Sequence, residues 1–215
     1  MPLSLKENLP DGSTLCVWTI TETENELKSR FEGLGLELNE NDTVESYRIA
    51  RKRMQWYAAR LLSAECVPDF QGIYYDQFGA PHLVESDICV SYSHSHDKVA
   101  LLFHSDHEVG VDIQRKDEKL KRIEDKFLNP EEKKRYEANG HALEELHILW
   151  GTKEAVFKVH KHHLPFKKIK TESFPLDRQG QLVANAHRFD GTHRHVLNYR
   201  LMDDSVLITT CYNEA

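Results

Sequence analysis

From Thr14 to Ile20 the run TLCVWTI is β-branched and aromatic and follows Asp11-Gly12, the pattern of a buried strand behind a turn. A short helix is expected around Glu22 to Phe31. Asp42 and Glu45 form a capping-box pattern, after which Tyr47, Ala50, Met54, Ala58, Leu61 and Leu62 recur at helical spacing. Together they predict a long amphipathic helix over about 43–64. Strand-like segments follow: GIYYD from Gly72, DICVSYS from Asp87, KVALLFH from Lys98 and EVGVDIQ from Glu108, each bounded by polar or turn-prone residues. Asn129-Pro130-Glu131-Glu132 supplies an N-cap, a proline at the first helical position and acids in the first turn. A second long helix is predicted over about 142–160, then strands near 168–174, 182–187, 195–201 and 205–212.

This order predicts an α+β fold of two similar halves, each a long helix packed on a small, mainly antiparallel sheet. The halves are placed at 1–105 and 106–215. No low-complexity linker parts them, so one compact unit with its site at the interface is expected. The 215 residues, 40% hydrophobic and 29% charged, suffice for a core without disulfide staples. Four cysteines, Cys16, Cys66, Cys89 and Cys211, lie far apart with no C-x-x-C pair, which suggests free thiols. A net charge of -7 with no basic stripe argues against a nucleic-acid binder. The start MPLSLKENLP has no basic-then-apolar pattern and no run suits a membrane span, so a cytoplasmic protein is expected.

Three segments carry candidate chemistry. In WGTKEAVFK, Trp150 to Lys158, a spacing of four puts Trp150, Glu154 and Lys158 on one helical stripe, with Lys153 and Phe157 on the adjoining one. An ordinary amphipathic helix with an i,i+4 Glu-to-Lys pair would look the same. In GVDIQ, strand alternation sends Asp112 and Gln114 to one face, away from Val111 and Ile113. There Asp112 is either a hard-metal ligand or an edge-strand carboxylate facing water. In SYSHSH a strand ends in hydroxyls and imidazoles, groups that suit phosphate, although His96 reads as an ordinary surface histidine.

Taken in order, Ser93-His94-Ser95, GVD, and about forty residues later W-x-x-K-E-x-x-x-K resemble the 4′-phosphopantetheinyl transferase superfamily in its long, surfactin-synthetase-activator form. Arg51 and Arg60 on the first long helix and Gly79-Ala80-Pro81 add to the likeness. The resemblance implies two halves related by a pseudo-twofold and transfer of 4′-phosphopantetheine from coenzyme A to a serine of an apo acyl or peptidyl carrier protein. It implies Mg2+ held by Asp112 and Glu154, with Gln114 at a third ligand position. Glu154 becomes the base, Lys158 the pyrophosphate and leaving-group contact, and Lys153 a further catalytic group. Ser93 and His94 become phosphate contacts, and Arg51 reaches the 3′-phosphate of coenzyme A.

Two positions depart from the family pattern. Gln114 stands where many relatives carry an acid, and Ala80 where many carry a lysine; Arg48, Lys52 or Arg53 could compensate for the latter. Basic residues within 116–135 or 161–170 could dock an acidic carrier, or be solvated faces. A monomer is expected. Competing readings are a phosphoanhydride hydrolase using the same metal site and a coenzyme A-binding module without catalysis. A zinc enzyme is disfavoured because the thirteen histidines show no H-E-x-x-H spacing.

Overall fold

The alternation in CVSYSHS and KVALLFH sets β5 (Cys89–Ser95) against β6 (Lys98–His104) as an antiparallel hairpin. It turns through His96, at a left-handed φ of 53°, and Asp97. The computed structural model describes residues 2–36, 44–161 and 164–212. The chain forms two compact units, Met1–His107 and Glu108–Ala215. Every strand pairing is antiparallel among the described residues, an α+β architecture.

In the first unit β1 (Leu3–Asn8) and β2 (Thr14–Thr19) join the hairpin in the order β1-β2-β6-β5. A small hairpin of β3 (Ile73–Tyr75) and β4 (Pro81–Leu83) lies outside that sheet. α1 (Glu24–Glu32) starts at a capping box in which Thr23 and Glu26 satisfy each other's backbone N–H groups. α2 (Ala50–Cys66) buries Trp56, Tyr57, Leu61 and Leu62 with Phe31 of α1 and with Cys16, Trp18, Val99 and Leu101 of the sheet. The first long helix therefore begins at Ala50 rather than near 43; Val44–Ser46 is a separate 3-10 turn. Ile49 caps α2 without a side-chain hydrogen bond. Asp42 of the expected capping box lies outside the described residues.

The second unit opens with β7 (Glu108–Arg115), followed by a 3-10 turn over Glu118–Ile123, α3 (Glu124–Phe127) and α4 (Pro130–Ala138). α4 starts at the Asn129 cap read from NPEE. α5 (Leu143–His160) comes next, then β8 (Ile169–Thr171), β9 (Gln179–Arg188), β10 (Gly191–Leu201) and β11 (Ser205–Tyr212). The sheet order β7-β11-β10-β9-β8 leaves β7 at an edge. Its inner face packs Val206, Ile208, Leu197 and Tyr199 against Ile148, Ala155 and Val156 of α5. All four cysteines are free.

Candidate active site

Two glycines let α5 come down onto β7. A Cβ on Gly110 of β7 would sit 2.1 Å from the Ala155 carbonyl oxygen of α5, so helix backbone and strand backbone touch there with no side chain between them. On the helix, a Cβ at Gly151 would lie 2.7 Å from Ile208 Cγ1, 3.0 Å from Gln114 Nε2 and 3.2 Å from Asp112 Oδ2. Alternation aims Gly110, Asp112 and Gln114 from β7 at that helix face. The face itself is the stripe His147, Gly151, Glu154 and Lys158, spaced by four, three and four residues.

Asp112 is almost fully buried, so it is not an edge carboxylate facing water. Lys158 Nζ lies 3.3 Å from Asp112 Oδ1 and donates to the Val111 carbonyl at 2.7 Å. Glu154 is half-buried. Burial first, and then the Asp112 charge, pushes its pKa above the usual carboxylate range, with Lys158 pulling back. Asp112 and Glu154, 42 residues apart in sequence (154 minus 112), thus share one neighbourhood and repel each other.

Gln114 is placed differently from the ligand position the resemblance implies. Its Nε2 donates to Asp112 Oδ2 at 3.0 Å and to the His147 carbonyl at 3.1 Å. Two acceptors require the nitrogen on that side, which fixes the amide orientation chemically. Its oxygen, the one atom able to bind a hard cation, is 2.8 Å from His147 Nδ1. His147 Nε2 lies 2.9 Å from the Asp117 N–H and 3.3 Å from the Asp117 carbonyl; the shorter contact comes from a group that can only donate, which assigns the ring proton to Nδ1 and its donation to Gln114. Burial keeps this imidazole's pKa below its ordinary value.

Lys153, expected beside Glu154 as a catalytic group, points elsewhere. Its fully buried ammonium donates to Glu132 at 2.9 Å, to the Phe166 carbonyl at 3.2 Å and to the Ile169 carbonyl at 2.5 Å. Glu132 in turn accepts the N–H groups of Asn129 and Thr171. One residue along a helix is about 100° around it, enough to separate a site group from a structural one. Trp150 packs edge-on against Phe127 and Phe166, so it too belongs to the core.

In the first unit α2 meets the end of β5. Arg51 Nη1 is 3.3 Å from His96 Nδ1 and Lys52 Nζ is 3.4 Å from His94 Nε2, while Gln55 Nε2 donates to the His96 carbonyl at 2.9 Å. Exposed cations and imidazoles converge here, an arrangement that suits a phosphate. Ser93 is buried, and alternation turns it to the opposite face of the strand from His94.

Sequence reasoning missed His147 and Gly151. Both lie in HILWG, which reads as core, yet their spacing to Glu154 and Lys158 marks them as members of the same stripe.

The oxygen donors suit a hard divalent cation such as Mg2+. Two mutually repelling carboxylates are stabilised by one, and few protein ligands leave positions for water and phosphate. Among the described residues no group of three or more His, Cys, Asp or Glu forms a metal cluster, so an all-protein cage is not what this site offers. Among the described residues no helix is long and apolar enough to cross a membrane. A model of the 4′-phosphopantetheinyl transferase superfamily matches residues 108–211. No match to a curated protein was found.

Proposed function

We propose, from the match of residues 108–211 to a model of the 4′-phosphopantetheinyl transferase superfamily, that the protein moves 4′-phosphopantetheine from coenzyme A onto a serine of an apo acyl or peptidyl carrier protein. The observation that carries this reading is the meeting of Asp112 on β7 with Glu154 and Lys158 on α5.

Glu154, whose proton affinity is raised by burial and then by the Asp112 charge, is the acceptor for the serine proton. The serine oxygen attacks the β-phosphorus of coenzyme A. The new P–O ester forms as the bond to the bridging oxygen breaks, and the electron pair leaves on adenosine 3′,5′-bisphosphate. Lys158 needs only to exchange its contact with Asp112 for a phosphate oxygen to stabilise that leaving charge. Asp112 and Glu154 would hold Mg2+, which supplies charge neutralisation at the pyrophosphate when bound. Arg51 and Lys52 with His94 suit the 3′-phosphate, Arg51 through its planar fork. Lys153 contributes by fixing the helix that carries Glu154.

The test is intact-mass spectrometry of an apo-carrier incubated with the protein, coenzyme A and Mg2+. A phosphopantetheine adduct on the serine is expected, with turnover lost by about 100-fold or more in Asp112→Ala, Glu154→Ala and Lys158→Ala at unchanged circular dichroism. Nucleotide release from coenzyme A without a carrier would instead indicate a hydrolase. Coenzyme A binding with no adduct on any carrier would indicate a binding module.

A further inference from the structure

The departure at Gln114 has a structural partner on α5. We propose that His147 and Gln114 are positioning residues: a neutral imidazole–carboxamide relay that fixes the Asp112 carboxylate through its Oδ2, Gln114 itself binding no metal. The inference deepens the proposed function and rests on its placement of Mg2+ at Asp112.

The relay runs one way. The Asp117 N–H donates into His147 Nε2, Nδ1–H donates to Gln114 Oε1, and Gln114 Nε2 donates to Asp112 Oδ2. Each polar atom of the His147 ring and the Gln114 amide has a partner, and both amide hydrogens are used, the second on the His147 carbonyl. A carboxylate at 114 could accept from His147 but could only repel Asp112 Oδ2. The amide therefore holds the aspartate in place before any cation arrives, where an acid would require the cation to hold the two together. The cost is one less negative charge for the metal. Gly151 makes room for the arrangement, since a side chain there would strike both Gln114 Nε2 and Asp112 Oδ2. His147 is buried behind this shell, so it acts through Gln114 and Asp112 and not on substrate.

Two substitutions of similar size separate the relay from a merely structural histidine. The amide nitrogen of His147→Asn falls near the Nδ1 position and still donates to Gln114; the longer His147→Gln reaches the Nε2 position and serves the Asp117 side instead. The relay predicts that His147→Gln raises the Mg2+ concentration for half-maximal effect by about tenfold relative to His147→Asn. The effect is read both in transfer and in the Mg2+-induced rise of the melting temperature, which needs no carrier. Gln114→Leu, which keeps the fold's apolar contacts, should match His147→Gln. In the parent protein, ring nitrogen shifts should report the Nδ1–H tautomer of His147. Equal behaviour of the two His147 variants, a better response in His147→Gln, an Nε2–H tautomer, or no Mg2+ response in the parent would each overturn the proposal. Parent protein that modifies no carrier but shows the expected thermal pattern would overturn the transferase reading and leave the relay standing.

Discussion

The two long helices lie on their sheets by opposite means. α2 meets its sheet through large side chains, Trp56, Leu61 and Leu62 sharing a core with Trp18, Val99 and Leu101, while Trp56 and Tyr57 also pack with Phe31 of α1 at centroid distances of 5.0 and 5.6 Å. α5 presses backbone to backbone at Gly110, and at Gly151 it meets the side chains of Ile208, Gln114 and Asp112 directly. The first arrangement buries apolar area, worth about 1.5–3 kcal/mol for each fully buried large side chain. The second forgoes some of that area and brings short polar groups from strand and helix within hydrogen-bond reach. Close approach is what lets Asp112, Gln114 and His147 form one network.

The largest effect should come from the charge that anchors α5. Lys153→Ala leaves Glu132 buried without its cation, and a stability loss of about 3–5 kcal/mol is expected by denaturant titration. Activity lost beyond that fraction unfolded would argue for a direct role for Lys153. Next is the contact itself: Gly110→Ala must push strand and helix apart, costing about 1–3 kcal/mol. Transfer should fall further than stability, because Glu154 and Asp112 separate. A Gly110→Ala protein with normal turnover would mean that the close contact is dispensable.

Acid should loosen the second unit through a buried histidine pair at the end of α5. Arg188 donates to His160 Nδ1, so His160 Nε2–H donates to His195 Nε2 at 2.9 Å and both rings are neutral. Burial first, then Arg188, pushes His160 down to about 4, and burial first, then the adjoining His160 ring, pushes His195 down to about 3, against an ordinary value of 6.5. Below pH 6.5 the unfolded chain takes up protons that the folded one refuses. Stability is therefore fully present above that pH and is lost as pH falls towards 4, by about 2–3 kcal/mol for His160 alone. Trp150 reports this unit and Trp18 and Trp56 the other, so Trp150 fluorescence should change first on acidification. A simultaneous change in single-tryptophan variants would remove the contrast.

The parts written in local pattern were legible in the sequence. KVALLFH became β6 over its whole length, NPEE capped α4, and the helix expected over 142–160 runs from Leu143 to His160. β1 was missed because its polar residues, Ser4, Lys6 and Glu7, mask a strand with a single neighbour, β2. GVD and WxxKE pointed to the residues that meet, Asp112 with Glu154 and Lys158, but not to their wiring. Lys153 is adjacent to Glu154 in sequence, while the partner that defines it, Glu132, lies 21 residues away on another helix. Gln114 read as a weakened ligand because it is a neutral amide, and the sequence did not show that its oxygen faces a residue 33 positions distant. Pairing across such separations is set by packing, which periodicity does not encode.

The smallest expected effect lies on α2. Arg51 and Lys52 are exposed at the start of α2, each beside an imidazole nitrogen and not a carboxylate, so removing one leaves no buried charge unpaired. Arg51→Ala should therefore melt within about 0.5 kcal/mol of the parent. If the cluster holds the 3′-phosphate of coenzyme A, the lost charge-assisted hydrogen bond is worth about 1.5–3 kcal/mol. Because that phosphate is bound equally before and during reaction, KM should rise by about 10- to 100-fold while kcat stays nearly constant. The sharper measurement compares coenzyme A with its 3′-dephospho form. The parent should prefer the phosphorylated donor, and Arg51→Ala should lose most of that preference by weakening one donor and sparing the other. A preference unchanged by Arg51→Ala and by Lys52→Ala would leave the cations of α2 as solvated surface, and the contrast between the two helices would then be one of packing alone.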